Sequence, residues 1–205
     1  MELLAEARDR SIYHVTGGRE APAVYYIQDK QAGGILVNTP AFDSDLAATL
    51  QQYGPVAFLF LPSRYGARDL DAWRQALGAQ ALAGQDEVPA IAGTVDTPLD
   101  GTIRLSRTIR FYPMSGRTAG STALFCKNKP GFLFLGPILE PGPDGWPTLV
   151  PHEDDWSWEN RVMGGLGLQD LKFEYAFTDR FGEDTRYGPG AGEGVRSALN
   201  RFYGA

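Results

Sequence analysis

Histidine and cysteine are almost missing from this chain: two His and one Cys in 205 residues. The single thiol, Cys126, excludes an intramolecular disulfide and every CxxC metal site. It sits in Ala123-Leu124-Phe125-Cys126, an apolar, strand-like run, so it is expected to be buried and inert. Excess positive charge is missing too. The chain has 19 Lys and Arg against 25 Asp and Glu, a formal net charge of −6. A nucleic-acid partner is therefore not expected, because phosphate contacts need a clustered positive surface. A local basic pocket remains compatible with that balance. No apolar run approaches the roughly 18–20 residues of a membrane span, so no membrane partner is expected either. The opening MELLAEARDR mixes acids with bases and lacks the basic start and apolar stretch of a signal peptide, which points to the cytoplasm.

The chain is rich in material for a core: 43% hydrophobic residues, with 11 Phe, 9 Tyr and 4 Trp. At this length about 70% of the unfolded surface can be buried, which excludes disorder. The 25 Gly and 14 Pro are scattered, not periodic. With no internal repeat and no dividing linker, residues 1–205 are expected to form a single domain.

Local signals predict the element order. Val24-Tyr25-Tyr26-Ile27 and Ile35-Leu36-Val37 flank turn material at residues 29–34 and read as a hairpin. A helix follows, capped by Asp43 or Ser44, with Leu46, Ala47 and Leu50 on one face and a stop at Tyr53-Gly54-Pro55. Residues 56–61, Val-Ala-Phe-Leu-Phe-Leu, are apolar without alternation, as in a strand covered on both faces. A second helix over residues 69–77 carries Leu70, Trp73, Ala76 and Leu77 on its apolar face and ends at Gly78. Strands are expected at residues 80–83, 102–105, 108–112, 121–126, 132–135 and 173–177. Residues 140–158 read as loop, and helices are expected at 159–170 and 194–203. The order is that of an α+β chain built as a sandwich.

Five segments, in order, resemble the metallo-β-lactamase superfamily. Ile35-Leu36-Val37-Asn38-Thr39-Pro40 is similar to its "ILIDTG", and Phe58-Leu59-Phe60-Leu61-Pro62-Ser63 to the strand leading into "LTH". Residues 72–80 resemble the following helix and "GA" strand entry. Gly116-Arg117-Thr118-Ala119-Gly120-Ser121 is similar to "GHTPGS", and Phe132-Leu133-Phe134-Leu135-Gly136-Pro137 to "LFTGD". The resemblance implies a four-layered αββα fold over nearly the whole chain. It also implies where metal ligands would stand, and there the chemistry is lost. The HxHxDH positions are Ser63, Tyr65, Ala67 and Arg68, or Asp69 with Leu70 at the last pair in a shifted alignment. The "GHTPGS" histidine is Arg117, the "GD" aspartate is Pro137, and the terminal histidine falls near Arg180-Phe181-Gly182. A zinc or iron site needs about three neutral imidazole, thiolate or carboxylate donors per ion, and a guanidinium offers only N–H donors. No metal, no cofactor and no catalytic residue is therefore expected.

Other candidates have plain readings. His152-Glu153-Asp154-Asp155 reads as a solvated acidic loop, since consecutive residues converge poorly on one ion. His14 reads as a satisfied strand residue. Ser63 and Ser121 lack the base and acid a nucleophile needs. The Gly-rich stretch at residues 188–194 lacks the P-loop lysine and reads as a connector. The aromatic cluster Trp146, Trp156, Trp158, Phe173, Tyr175 and Phe177 reads as packing, its exposed part offering a homodimer surface. One constellation stands out: Arg64, Arg68, Arg117 and Arg180 at or beside the lost ligand positions. Guanidinium groups bind carboxylate or phosphate with bidentate geometry. Either they hold a small anionic ligand, or they pair with Asp69, Asp179 or Glu183 and plug the cleft. The first expectation is thus a metal-free, non-catalytic binding protein, a pseudoenzyme. A divergent metal-dependent hydrolase with unusual ligands and a structural, self-associating subunit are the alternatives.

Overall fold

The computed structural model describes residues 1–18 and 20–204. Its first half is a seven-stranded sheet in chain order: β1 (Glu2–Ala7), β2 (Arg10–Thr16), β3 (Val24–Asp29), β4 (Gly33–Val37), β5 (Val56–Leu61), β6 (Gln80–Gly84) and β7 (Thr97–Leu99). The first four strands run as an antiparallel meander, and β4 to β7 are parallel. The switch is forced by the crossovers, because parallel neighbours need a helix to return the chain. Helices α1 (Ser44–Tyr53) and α2 (Leu70–Leu77) supply it. The Asp43 carboxylate caps α1 by accepting the N–H groups of Asp45 and Leu46 at 2.8 and 3.3 Å. Gly78 closes α2 at φ 64°, a left-handed conformation that costs glycine nothing.

The second half is a four-stranded sheet in the order β13–β10–β9–β8: β8 (Ile109–Pro113), β9 (Thr122–Cys126), β10 (Phe132–Gly136) and β13 (Tyr175–Thr178). Between β10 and β13 lie a short pair, β11 (Glu140–Pro141) with β12 (Pro147–Thr148), and helix α3 (Trp158–Gly167). Helix α4 (Ala191–Tyr203) ends the chain.

Alternation along each strand sorts its residues between layers. Tyr25, Ile27, Ile35, Val37 and Phe60 meet Ile109, Leu124, Phe132, Phe134 and Phe177 in an apolar layer between the sheets. Their strand neighbours Tyr26, Leu36, Leu59 and Leu61 face outward onto Leu50, Leu70 and Trp73 of α1 and α2. On the other side Phe125, Leu133, Leu135 and Ala176 pack against Leu168, Val195 and Leu199. The result is the expected four layers, helix–sheet–sheet–helix. Cys126 lies in the middle layer, and burial pushes its thiol up to about 12 against the opposing influence of Arg10. Among the described residues, no helix is long and apolar enough to cross a membrane.

The differences from expectation are local. β1 is not among the expected strands, because its short, partly polar sequence carries a weak apolar signal, and of β2 only the strand setting of His14 is expected. Residues 102–105 are not a strand. They touch β8 of the second sheet through one bridge, Arg104 to Arg110, and Thr97-Pro98-Leu99 forms the edge strand of the first sheet. Proline is tolerated there because an edge leaves one row of donors unused. Ala76 is exposed, and the 140–158 loop contains the β11–β12 pair.

Candidate functional site

The ends of β4, β5, β10 and β13 converge with the β8–β9 turn on one face of the sandwich, and the side chains singled out from sequence fall there unequally. Ser63 is fully buried and faces away from solvent, its hydroxyl accepting the Tyr65 N–H at 3.3 Å to start a short 3-10 turn over Arg64–Gly66. That turn presses on the end of β4: a Cβ on Gly66 would stand 1.8 Å from Asn38 Oδ1. Ala67 bridges to Thr39, and Arg68 donates its backbone N–H to Thr39 Oγ1 at 3.0 Å. Asp69 leaves the site. Held at φ 47°, it starts α2, and its carboxylate accepts the Phe42 N–H at 2.9 Å. Phe181 also leaves, stacking on His14 with centroids 4.1 Å apart. His14 is thus a stacked ring and not a satisfied one: its Nε2 has no hydrogen-bond partner, and burial lowers its pKa.

What remains forms two adjoining hollows that share Ala21, Pro22 and Tyr65. The larger, about 310 Å³, has Thr39, Pro40, Asp43 and the exposed Arg68 on its walls. The smaller, about 170 Å³, is lined by Tyr65, Arg117, Pro137, Glu140, His152, Asp179 and Arg180, with Glu20 at its rim.

Three of the four arginines, Arg64, Arg117 and Arg180, have carboxylate partners, but not those expected from sequence. Arg64 pairs with the fully buried Glu87 at 3.3 Å. Glu87 also accepts the Arg64 and Gly120 N–H groups at 2.8 and 2.9 Å, tying the 3-10 turn to the β8–β9 turn. Arg180 pairs with Glu140 at 2.6 Å, and the other oxygen of Glu140 contacts His152 Nε2. Arg117 lies 5.0 Å over the Tyr65 ring, 3.0 Å from Asp154 and 3.6 Å from Asp155. The 152–155 segment is therefore no free solvated loop. Its acids fold down on the arginine, and Asp155 is anchored below by buried Arg161, both oxygens at 2.9 Å. Arg117 holds the Asp154 carboxyl below its ordinary range. Yet Arg117 Nη1 is buried with no acceptor aligned to its N–H.

Asp179 was considered from sequence only as an arginine partner, and its setting is different. One oxygen accepts the Asn38 Nδ2–H at 2.8 Å, while the other is buried without a partner. Burial pushes its carboxyl up to about 7, Glu140 adding to the rise and the Asn38 hydrogen bond opposing it. The available signal was its place at the end of a strand whose neighbour, β10, ends at Gly136-Pro137.

These residues do not fit a metal ion. Among the described residues no group of three or more His, Cys, Asp or Glu could hold one. Arg117 and Arg180 would place positive charge beside a dication, and Asp154 and Glu140 are engaged with them.

No protein-family profile matches the sequence, and no curated protein matches it. Solved structures do. BJP-1, a subclass B3 metallo-β-lactamase of Bradyrhizobium japonicum, is similar over 97% of this chain and 91% of its own, at 14% identity and TM-score 0.64. A metallo-β-lactamase from Staphylococcus aureus is similar over 95% of this chain and 63% of its own, at 9% identity and TM-score 0.71. TTHA1623, solved in a di-iron-bound form, is similar over 83% of this chain and 92% of its own, at 14% identity and TM-score 0.67. Such likeness at so little identity is a likeness of fold. The chain has the metallo-β-lactamase fold, built around a cleft whose side chains are unsuited to metal.

Proposed function

We propose that this chain acts as a single metal-free domain, without hydrolytic chemistry, that binds a small anion in the cleft beside Arg117. One observation carries the reading: Arg117 Nη1 is buried, near two carboxylates, and aligned with neither. The 3.0 Å ion pair with Asp154 lies off the N–H axis, and a ligand oxygen in line with that N–H would make the better hydrogen bond. Asp154, its nearer partner, has a 66% exposed side chain and can give way to a ligand carboxylate or phosphate. Arg180 stands on the same hollow and Arg68 on the adjoining one.

The test is a melting screen with phosphate, sulfate, citrate and acetate at constant ionic strength. A ligand at a hundredfold excess over its dissociation constant stabilises by about 2.7 kcal/mol, a shift of several degrees for a domain of this size. Replacing Arg117 with Ala should remove the shift and leave the fold. If no anion shifts the wild type, the arginines are a plug.

A second, compatible reading is self-association. Trp156, Met163, Leu166 and Phe202 expose 40–65% of their surface on or beside α3 and α4. Molecular mass in solution decides it: a dimer supports that reading and a monomer at high concentration removes it.

A further inference from the structure

Accepting the anion reading as its starting point, the second polar defect of the same hollow narrows the ligand. Asp179 faces a space of about 170 Å³ with one carboxylate oxygen buried and unpartnered. Each arginine of that hollow is engaged by a different acid, Arg180 by Glu140 and Arg117 by Asp154 and Asp155, and His152 also contacts Glu140. No ion pair reaches Asp179 among the described residues, and its one polar side-chain partner is the neutral Asn38. The wall of one small hollow therefore buries an unaligned guanidinium donor and an unpartnered carboxylate acceptor. A plain anion would serve the first and repel the second.

We infer that the cleft takes a small zwitterion of amino-acid size, its carboxylate on Arg117 and its ammonium on Asp179. The size follows from the hollow, which falls below the roughly 300 Å³ at which drug-sized sites begin. Discrimination follows from the acceptor, because a site built around a buried polar group rejects the analogue lacking its partner.

The geometry carries a proton signature. The empty-site carboxyl is held near neutrality by burial, with Glu140 raising it further. Asp179 also faces Arg180 next to it, His152 and Glu140 across the hollow, Arg117 and Tyr65 on its wall and Glu20 at its rim, with Tyr25 behind it. An ammonium favours the ionised form, so binding below about pH 7 expels the carboxyl proton to solvent. Affinity should rise up to tenfold per pH unit in that range and level off above it.

The experiment is calorimetric titration of the full chain at pH 6 and pH 8 with L-alanine and L-glutamate. Propionate and glutarate serve as the same skeletons without the amine, and ethylamine as the amine alone. The expected result is at least tenfold tighter binding of an amino acid than of its deaminated partner at pH 8, with proton release at pH 6. Asp179→Asn keeps an oxygen for Asn38 and should erase both the margin and the proton release. The paired ligands on wild-type protein test the inference even if the variant folds poorly. Equal binding of amino and deaminated acids, lost in Arg117→Ala, overturns the zwitterion and leaves the anion reading standing. Binding of neither set overturns this inference, and silence in the anion screen as well overturns both.

Discussion

Asp179 shows how strongly one residue's chemistry depends on what surrounds it. Its carboxyl, with an ordinary value of 3.8, is pushed to about 7 by burial. The folded state therefore binds a proton that the unfolded chain has released. That contribution is fully present below about pH 4 and is lost as pH rises to about 7, leaving a buried charge above it. Asp179→Asn removes the charge and keeps the Asn38 hydrogen bond. The variant should be more stable than wild type at pH 8 by about 2–4 kcal/mol, the gap shrinking towards zero near pH 4. Urea midpoints across that range check it. A variant no more stable than wild type at pH 8 would show that the carboxylate is better solvated than its burial suggests.

At the scale of elements, helix α3 and the acidic loop form one unit through Arg161, which is 1% exposed. Its guanidinium donates to both oxygens of Asp155 and to the carbonyls of Val150 and Ile138 at 2.6 and 2.9 Å, with Trp158 alongside. Breaking such a pair leaves Asp155 buried and uncompensated, a loss of about 3–5 kcal/mol for Arg161→Met. Asp155→Asn in that background should restore part of it, because the stranded charge is gone. A double-mutant cycle by chemical denaturation measures the coupling; strict additivity would mean that the loop is held by something else. The cap of α1 is a smaller, local case. Asp43→Ala forfeits two N–H partners and should cost about 1 kcal/mol, read as a lower melting temperature with the fold unchanged.

For the molecule as a whole, the fold is held together by layers that lie away from the cleft. The four layers depend on apolar alternation in two sheets and on helix faces, none of which involves the cleft side chains. A fold held this way needs no ion. Chelation should leave the melting temperature unchanged, and equimolar zinc should not raise it. Arg117→His should not create tight zinc binding either, since one added imidazole leaves fewer than three suitable donors. Metal analysis and zinc titration are the checks, and stoichiometric zinc, iron or manganese in purified wild-type protein would restore the metallohydrolase reading.

Much of this architecture was legible in the amino-acid order, for reasons confined to short stretches of chain. The β3–β4 hairpin, the Asp43 cap, the unbroken apolar run of β5 and the Gly78 stop each depend on a few consecutive residues, and each is where it was expected. Strands β1 and β7 were not legible, because edge strands owe their pairing to a neighbour and not to their own composition. Nor was the identity of the arginine partners. Asp154 and Asp155 reach Arg117, and Glu87 reaches Arg64, through contacts that depend on how loops distant in sequence pack together. The state of Asp179 lies furthest from the sequence. A Thr-Asp-Arg triplet says nothing of desolvation, and only the closing of the layers around it decides that one carboxylate oxygen is left buried without a partner.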